Sequence, residues 1–393
     1  MISLLYRVVD WVEYYKLDRL AFVLVCFVLC SYNWQQTLFL SPDSHTYIRW
    51  AELLISHDFN FSAYLRDNNF FTPPIFYLLP VTIIAGLKSI SADNWQTLFQ
   101  AINTAALATC LWVYYRIAIQ VRLRRWLVAT SLVILMSCVD FLVWPHYLLS
   151  DMLFAMLVMI LIGLHTTQTS EKYPRPSILV LTLLVLLARP SSVPFVGAVI
   201  LFWIVRSRAI DSKKLAILVL GTIIAATVLF VALVSYGIEH PGNSQVEFIT
   251  KLASEGIVVH DRPDTWLAPP DSVGSIATLY VIRTAYFFMP FHNDFSFLHN
   301  LMNAVSLGYI LVGVFLGAIV GIKRNPTIQP AVLLLCLVCL FTTLFQAATI
   351  IDYDWRYRFP VILPMTIIAT IGFQSAFNIL KRIGRCRFEM PRK

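Results

Sequence analysis

Long apolar runs, separated by short polar segments, dominate the hydropathy pattern of the chain. The run "LAILVLGTIIAATVLFVALV" (215–234) is continuously apolar and does not alternate, which favours a lipid-embedded helix over a strand of a barrel. Because lipid offers no partners to backbone N–H and C=O groups, such a segment must form its hydrogen bonds internally. The pattern therefore predicts an all-α polytopic membrane protein with a single transmembrane domain over residues 1–393.

About ten of these runs have the length of a membrane span, roughly 20 residues. They lie near 20–40, 95–120, 126–144, 149–167, 177–189, 190–206, 214–236, 300–322, 328–348 and 358–380. A further run, 73–90, is ambiguous, because if it crosses the membrane the basic cluster at 122–126 falls outside the cell. The positive-inside rule favours a run that only dips into the interface. We therefore expect juxtamembrane helices in a first external loop, residues 41–94.

Composition and charge agree with this topology. Of the 393 residues, 58% are apolar and 13% are charged, and the mean hydropathy is +0.72. The net charge is +8, but with a cytoplasmic N-terminus most Lys and Arg fall in cytoplasmic segments and most acids at the outer face. The positive surplus therefore predicts anionic lipid headgroups as partners, and no nucleic acid. We expect a multi-pass protein of the cytoplasmic (inner) membrane, with both termini in the cytoplasm and no cleavable signal peptide.

The loops restrict where chemistry can occur. The cytoplasmic loops are short, and no Walker or dinucleotide-binding fingerprint occurs in the sequence. The two long segments, 41–94 and 237–299, are both predicted to be external. Any chemistry is therefore expected at the extracytoplasmic face or within the membrane, without ATP or a nucleotide sugar.

The stretch "SPDSHTYIRWAELL" (41–54) predicts a short amphipathic helix directly after the first span. Ser41 suits the N-cap, Pro42 the first helical position, and Asp43 the first turn, where the helix dipole attracts negative charge. One face carries Tyr47, Trp50, Ala51 and Leu54, and the other carries His45, Arg49, Glu52 and Ser56. Such a helix is expected to lie in the interface plane. The alternative role for Asp43 is that of a simple helix cap.

A second acid occurs in "WPHYLLSDMLFAML", which places Asp151 at the outer mouth of the fourth span. An ionisable group at that depth is costly unless it has a partner or a function. Asp43 and Asp151 could act as general base and partner, or together hold a divalent cation, Mg²⁺ or Mn²⁺. The alternative is that Ser150 and Asp151 only cap the span. His146 is expected to be a hydrogen-bonded interfacial residue rather than a metal ligand.

Cations are predicted at the same level of the membrane. "ARPSSVP" places Arg189 in the hairpin between spans five and six, and "IDYDWRYRFPVILP" places Arg356, Tyr357 and Arg358 at the mouth of the tenth span. Guanidinium groups at the headgroup boundary suit a phosphate or pyrophosphate. The alternative is that they are anchors that contact lipid phosphates nonspecifically.

With these motifs in order, the chain resembles polyprenyl-linked membrane glycosyltransferases of the GT-C superfamily, near the protein O-mannosyltransferase and aminoarabinose-transferase branch. The resemblance rests on "PDSHTYIRWAELL" (42–54), "FTPPIFYLLP" (71–80), "LLSDMLF" (148–154), "RYRFPVILP" (356–364) and, more weakly, "LLARPSSVPF" (186–195). Each motif is short, and the specificity comes from their order and predicted topology. The resemblance implies a GT-C-like fold and agrees with a juxtamembrane helix at 73–90.

The resemblance implies that Asp43 is the catalytic base or acceptor-orienting acid and that Asp151 is the second acid of the site. The donor's lipid phosphate would be bound by Arg189, Arg356, Arg358 and Tyr357. Further candidates for substrate contacts are Tyr47, His146, Lys88, Arg66 and Trp266. The alternative for an aromatic residue such as Trp266 is that of a membrane-interface anchor.

Two departures from the family pattern affect this assignment. Thr72 stands before the Pro-Pro pair, where relatives often carry His or Lys, so that phosphate contact would be absent or supplied by Lys88 or Arg66. Ser44 follows Asp43, so the Asp-Glu pair of the protein mannosyltransferases is missing, which leaves protein O-mannosylation and metal use open.

The resemblance predicts transfer of a sugar from a polyprenyl-phosphate donor, of the undecaprenyl or dolichyl type, to a cell-envelope glycan such as lipopolysaccharide, a lipid or a protein. The reaction is expected to invert the anomeric centre, with the loop 237–299 covering the site. One alternative is a lipid-linked O-antigen ligase or polymerase, which that long loop would suit. The other is a secondary transporter or flippase, which usually shows internal repeats and midplane polar groups.

Overall fold

A computed structural model describes residues 11–67, 74–167, 175–206, 273–292, 295–320, 329–349 and 355–388. Within these ranges the chain is helical, and an isolated parallel β-bridge joins Phe39 to Tyr147. The predicted span 214–236, the predicted substrate contact Trp266 and Thr72, which departs from the family pattern, lie outside the described residues.

The helices follow one another with short breaks. They are α1 (Leu17–Gln35), α2 (Pro42–Ser56), α3 (Phe61–Asp67), α4 (Leu78–Ile90), α5 (Trp95–Gln120), α6 (Arg125–Met136), α7 (Val139–Val143), α8 (Asp151–Thr167), α9 (Pro176–Ala188), α10 (Val193–Arg206), α11 (Val273–Phe287), α12 (Phe297–Val320), α13 (Gln329–Thr349) and α14 (Phe359–Phe388). Short 3₁₀ turns occur at Pro74–Tyr77, Trp144–His146, Pro190–Ser192 and Trp355–Arg358.

Five helices of the described ranges are long and apolar enough to cross a membrane, namely α1, α5, α12, α13 and α14. The segments Arg125–Met136 and Val139–His146 pass the same test together, with a bend of 60° between them. These helices are those expected of a polytopic, membrane-embedded protein, and each matches a predicted span.

Three other predicted spans are helical but short. Helices α8, α9 and α10 have 17, 13 and 14 residues. At about 1.5 Å per residue they are roughly 20–26 Å long, whereas the hydrocarbon core of a bilayer is about 30 Å thick. The ten-span topology and the GT-C fold therefore stay predictions.

Helix α2 has the two faces that the sequence predicts. Ser41 and Ser44 form a capping box at its start, in which each side chain bonds the backbone N–H of the other. The buried residues are Ser44, Tyr47, Trp50, Ala51 and Leu54, and His45, Arg49, Glu52 and Ser56 are exposed. The apolar face packs against α4 and the start of α5 in one cluster. Protein rather than lipid covers this face, which the amphipathic pattern alone did not indicate.

The backbones of helices α12 and α14 lie unusually close to each other. A methyl group added at Gly372 would overlap the carbonyl oxygen of Gly313, and one added at Gly313 would overlap Ala369. Small residues let two helix backbones come together without side chains between them. This contact holds the middle of α14, around Ala369 and Gly372, directly against α12.

The chain divides into two compact units. The first comprises Met1–Val193, Pro290–Cys336 and Phe359–Lys393, and the second comprises Pro194–Met289 and Leu337–Arg358. The two candidate acids and Arg189 belong to the first unit. Arg356, Tyr357 and Arg358 belong to the second.

Candidate functional site

The chain segments that precede α2 and α8 are hydrogen-bonded to each other. The N–H of Phe39 donates to the carbonyl of His146 at 2.8 Å, and the N–H of Leu148 donates to the carbonyl of Phe39 at 3.0 Å. This pair of bonds forms the Phe39–Tyr147 bridge. We refer to residues 39–44 and 146–151 as the α2–α8 junction, because the bridge brings the first turns of the two helices side by side.

Side chains strengthen the α2–α8 junction. The hydroxyl of Ser44 donates to the carbonyl of Leu148 at 2.8 Å. One turn further along α2, the hydroxyl of Tyr47 lies 3.3 Å from that of Ser150. The two residues that flank the acids in sequence, Ser44 beside Asp43 and Ser150 beside Asp151, thus connect the two helices.

Two carboxamides of α5 hold the segments that lead into the junction. Gln100 donates to the carbonyl of Asn33 at 2.8 Å, and Asn103 donates to the carbonyls of Pro145 and Tyr147 at 2.9 and 3.0 Å. These carbonyls lie at or just beyond helix ends, where the helical ladder leaves acceptors unpaired. Amides inside an apolar span are costly and usually have a purpose, so Gln100 and Asn103 could have been identified from the sequence, although their partners could not.

The two candidate acids lie in different environments at the junction. Asp43 is exposed in the first turn of α2, whereas Asp151, the first residue of α8, is completely buried. The Asp151 carboxylate accepts a hydrogen bond from Nη1 of Arg189, and the two side chains form an ion pair. The sequence predicted both acids at the same face of the membrane, but it did not show which of them is exposed and which is ion-paired.

Arg189 occupies the break between α9 and α10. Its backbone is extended, with φ −170° and ψ 146°, as expected for a residue that precedes a proline. The 3₁₀ turn Pro190–Ser192 follows, and the guanidinium is only 2% exposed. Arg189 was predicted to contact a donor phosphate, and the structure gives it a carboxylate partner. A guanidinium has five N–H donors, so it can bind a carboxylate and a phosphate together.

The side chains around the Asp151–Arg189 ion pair do not favour binding of a metal ion. Among the described residues no group of three or more His, Cys, Asp and Glu side chains could hold one. Mg²⁺ and Mn²⁺ prefer several oxygen ligands. A divalent cation shared by Asp43 and Asp151 would also have to compete with Arg189 for the buried carboxylate.

The other cations predicted for the first external loop have partners elsewhere. Lys88 donates to Glu52 at 2.5 Å, on the exposed side of α2, and lies 5.4 Å from the ring centre of Trp95. Arg66 is exposed at the end of α3, where its Nε donates to the carbonyl of Ser62 at 3.2 Å. Their predicted role as substitute phosphate ligands stays a prediction.

His146 and Tyr47 lie at the junction itself. His146 is half-buried in the 3₁₀ turn Trp144–His146, and its backbone carbonyl accepts the bond from Phe39. Tyr47 is buried, and its ring lies 5.3 Å from that of Tyr77 and 6.0 Å from that of Trp50. The aromatic packing fixes Tyr47, so its hydroxyl is positioned at the junction rather than in solvent.

The second unit has its own buried arginines. In the 3₁₀ turn Trp355–Arg358, Nη1 of Arg358 donates to the carbonyl of Met289 at 3.1 Å, and its side chain is 1% exposed. Arg356 is 8% exposed, with its guanidinium 5.9 Å from the ring centre of Tyr357. Arg283 on α11, which sequence reasoning did not select, is also buried. The predicted convergence of Arg356 and Arg358 with Arg189 stays a prediction.

Comparison with known proteins finds no protein-family model, no curated protein and no solved structure that matches this chain. The resemblance to GT-C glycosyltransferases therefore rests on the motifs alone.

Proposed function

We propose that the chain is a membrane glycosyltransferase that moves a sugar from a polyprenyl-phosphate donor to a hydroxyl of an envelope glycan, lipid or protein at the extracytoplasmic face. The observation that supports it is the α2–α8 junction, where the exposed Asp43 and the buried Asp151 belong to hydrogen-bonded helix starts and Asp151 pairs with Arg189. An accessible carboxylate close in the fold to a fixed guanidinium is the arrangement that an inverting transfer from a phosphate requires.

Asp43 acts in this proposal as the general base. Its carboxylate accepts the proton of the acceptor hydroxyl while the hydroxyl oxygen attacks the anomeric carbon of the donor. A new glycosidic C–O bond forms as the bond between the anomeric carbon and the phosphate oxygen breaks. The electron pair leaves with the phosphate, so the products are the glycosylated acceptor and polyprenyl phosphate, with the anomeric configuration inverted.

Arg189 stabilises the negative charge that collects on the departing phosphate. A fixed guanidinium in a site with little water needs little reorganisation during the reaction, which is why such groups contribute strongly to catalysis. Asp151 is a positioning residue, because it holds the guanidinium in place and keeps its charge balanced before the donor binds. In this proposal the acceptor therefore meets Asp43, and the donor phosphate meets Arg189.

The difference in solvent exposure between Asp43 and Asp151 indicates which of them acts as the general base. A general base must come within hydrogen-bond distance of the proton that it accepts, and Asp43 is exposed. Asp151 is completely buried and bonded to Arg189, so proton transfer through it would first have to break an ion pair.

The proposal is tested in cells, where neither the sugar nor the acceptor needs to be known beforehand. Envelope glycans, lipids and proteins of cells with and without the gene are compared by mass spectrometry. We expect the deletion to remove a single sugar from one envelope component and to accumulate the matching polyprenyl-phosphate sugar. Loss of a whole polymer, with accumulation of a lipid diphosphate, would instead indicate a ligase or polymerase. Altered uptake without any missing covalent product would indicate a transporter.

A further inference from the structure

Helix α13 buries two polar side chains for which the described part of the chain provides no hydrogen-bond partner. Thr342 is 1% exposed and Gln346 is 4% exposed. Among the described residues, the hydroxyl oxygen of Thr342 and both the nitrogen and the oxygen of the Gln346 carboxamide have no hydrogen-bond partner. Residues four apart lie on one face of a helix, so the unmatched groups form a single polar strip on a mostly apolar segment.

Such a strip is costly without an occupant. Folded proteins satisfy nearly all of their buried polar groups, and each exception requires an explanation. A buried polar group without a partner loses its hydrogen bonds to water and gains none in return, which destabilises the folded state. Leu or Val would fill the same space without that cost, so the retained amide and hydroxyl point to a ligand that meets them.

The unmatched groups define the chemistry of this ligand. A carboxamide offers two N–H donors and a carbonyl acceptor, and a hydroxyl both donates and accepts. The side chains that carry these groups start about one helical turn apart, roughly 5–6 Å between their Cβ atoms, so one ligand that meets all of them needs polar atoms at several points. Adjacent hydroxyls, as in a sugar or glycerol, offer donors and acceptors at several points.

Position in the fold indicates that the ligand comes from the membrane. The apolar stretch of α13 that is long enough to cross a bilayer ends at Ala347, one residue after Gln346. The strip therefore lies in the last turns of a span, at the depth where lipid headgroups meet acyl chains.

A cation in the neighbouring helix adds a charge preference. Tyr280 of α11 donates its hydroxyl to the carbonyl of Leu344 at 3.3 Å, and burial raises the pKa of Tyr280 so that it stays a donor. This bond places α11 beside the turn of α13 that lies between Thr342 and Gln346. Arg283, one turn along α11 from Tyr280, is 3% exposed. A buried guanidinium in this part of the unit favours an anionic headgroup, such as one that carries phosphate.

We propose that Thr342 and Gln346 form a binding site for the hydroxyl-rich, phosphate-bearing headgroup of a membrane lipid. The site lies within the second unit and does not depend on sugar transfer at the α2–α8 junction. Phosphatidylglycerol and a polyprenyl-phosphate sugar share this headgroup chemistry.

The test measures thermal unfolding of the full chain in phosphatidylcholine nanodiscs. The probes, added separately, are phosphatidylglycerol, undecaprenyl-phosphate-linked hexoses (glucose, galactose and mannose) and undecaprenyl phosphate without a sugar. We expect at least one hydroxyl-rich probe to raise the Tm of the wild-type protein more than undecaprenyl phosphate does. A rise with phosphatidylglycerol alone identifies a phospholipid, and a rise with a glycosylated lipid alone identifies a lipid-linked sugar.

Gln346→Leu and Thr342→Val test the assigned residues. Without a probe, Gln346→Leu should unfold at or above the wild-type Tm, because it removes a buried amide that has no partner. Both variants should lose the probe-dependent rise. The control is Thr366→Val, because Thr366 is also buried but donates to Ile362 of its own helix at 2.7 Å.

Three results would overturn the proposal. The first is a wild-type Tm that no hydroxyl-rich probe raises above the value with undecaprenyl phosphate. The second is a probe-dependent rise that survives in both variants, or in whichever of them folds. The third is a Tm of Gln346→Leu well below wild type without a probe, which would mean that bound water already satisfies the amide.

Discussion

Asp151 and Arg189 form an ion pair in which both side chains are almost completely buried, at 0% and 2% exposure. They are 38 residues apart in sequence and lie at two breaks of the helical pattern, the start of α8 and the end of α9. Burying two charges together is tolerable because each compensates the other. The pair therefore fixes a guanidinium beside the start of α8, where the proposed donor phosphate would bind.

Replacing one member of this ion pair should destabilise the protein far more than replacing both members. Arg189→Met or Asp151→Leu alone leaves one uncompensated buried charge, and we expect each to destabilise the protein by about 3–5 kcal/mol. The double variant should recover most of that loss but should not regain sugar transfer, because the phosphate-binding cation is gone. Unfolding of the purified variants in detergent measures the first effect, and the transfer rate measures the second.

Lys88→Met is the control for the ion pair. Its partner Glu52 is 56% exposed, and exposed pairs contribute about 0–1 kcal/mol. If Arg189→Met proved as stable as Lys88→Met, the buried pair would not have the energetic role assigned to it.

Ser44 should hold the α2–α8 junction together. Its hydroxyl donates to Leu148 and accepts from the N–H of Ser41, so Ser44→Ala leaves buried groups without partners, at a cost of about 1–3 kcal/mol. We expect faster hydrogen–deuterium exchange in peptides that cover residues 37–47. The matched variant Ser56→Ala removes an exposed hydroxyl that bonds only within its own helix and should leave these peptides unchanged. Equal exchange in the two variants would contradict the role of Ser44.

The membrane topology around α4 can be tested with two single cysteines. Helix α4 has 13 residues, about 20 Å, and its apolar side packs against α2. It is therefore predicted not to cross, so residues 58 and 93 should lie on the same, outer side. In a cysteine-free background, Asp58→Cys and Asp93→Cys should both react with a membrane-impermeant maleimide in intact cells. Labelling of only one of the two would show that residues 75–90 cross the membrane.

The sequence predicted those features that depend on neighbouring residues. The cap at Ser41, the two faces of α2 and the breaks near Pro145 and Pro190 follow from local preferences of Ser, Pro and apolar spacing. The five long apolar helices could be read in the same way, because length and hydropathy alone identify a candidate span.

The sequence could not predict contacts between distant segments. Periodicity showed that one face of α2 is apolar, but it did not show that α4 would cover that face. Arg189 was read as a phosphate ligand because nothing local reveals a carboxylate 38 residues earlier. The sequence also gives no reason to select Thr342 and Gln346 within an apolar run, since only the folded chain shows that they are buried and that the residues the structure describes offer them no partner.

The most direct test of the proposed transferase is the rate of label transfer by Asp43→Asn. The assay uses purified protein in nanodiscs, the accumulated polyprenyl-phosphate sugar identified in the deletion strain, and the matching envelope acceptor. Asp58→Asn is the matched control, because Asp58 is an exposed acid of the same loop with φ 50°, a conformation that Asn adopts equally well. Loss of a general base typically lowers the rate by a factor of about 10²–10⁴. We predict a loss of that size for Asp43→Asn and a wild-type rate for Asp58→Asn. A rate for Asp43→Asn close to that of the wild type would contradict the account.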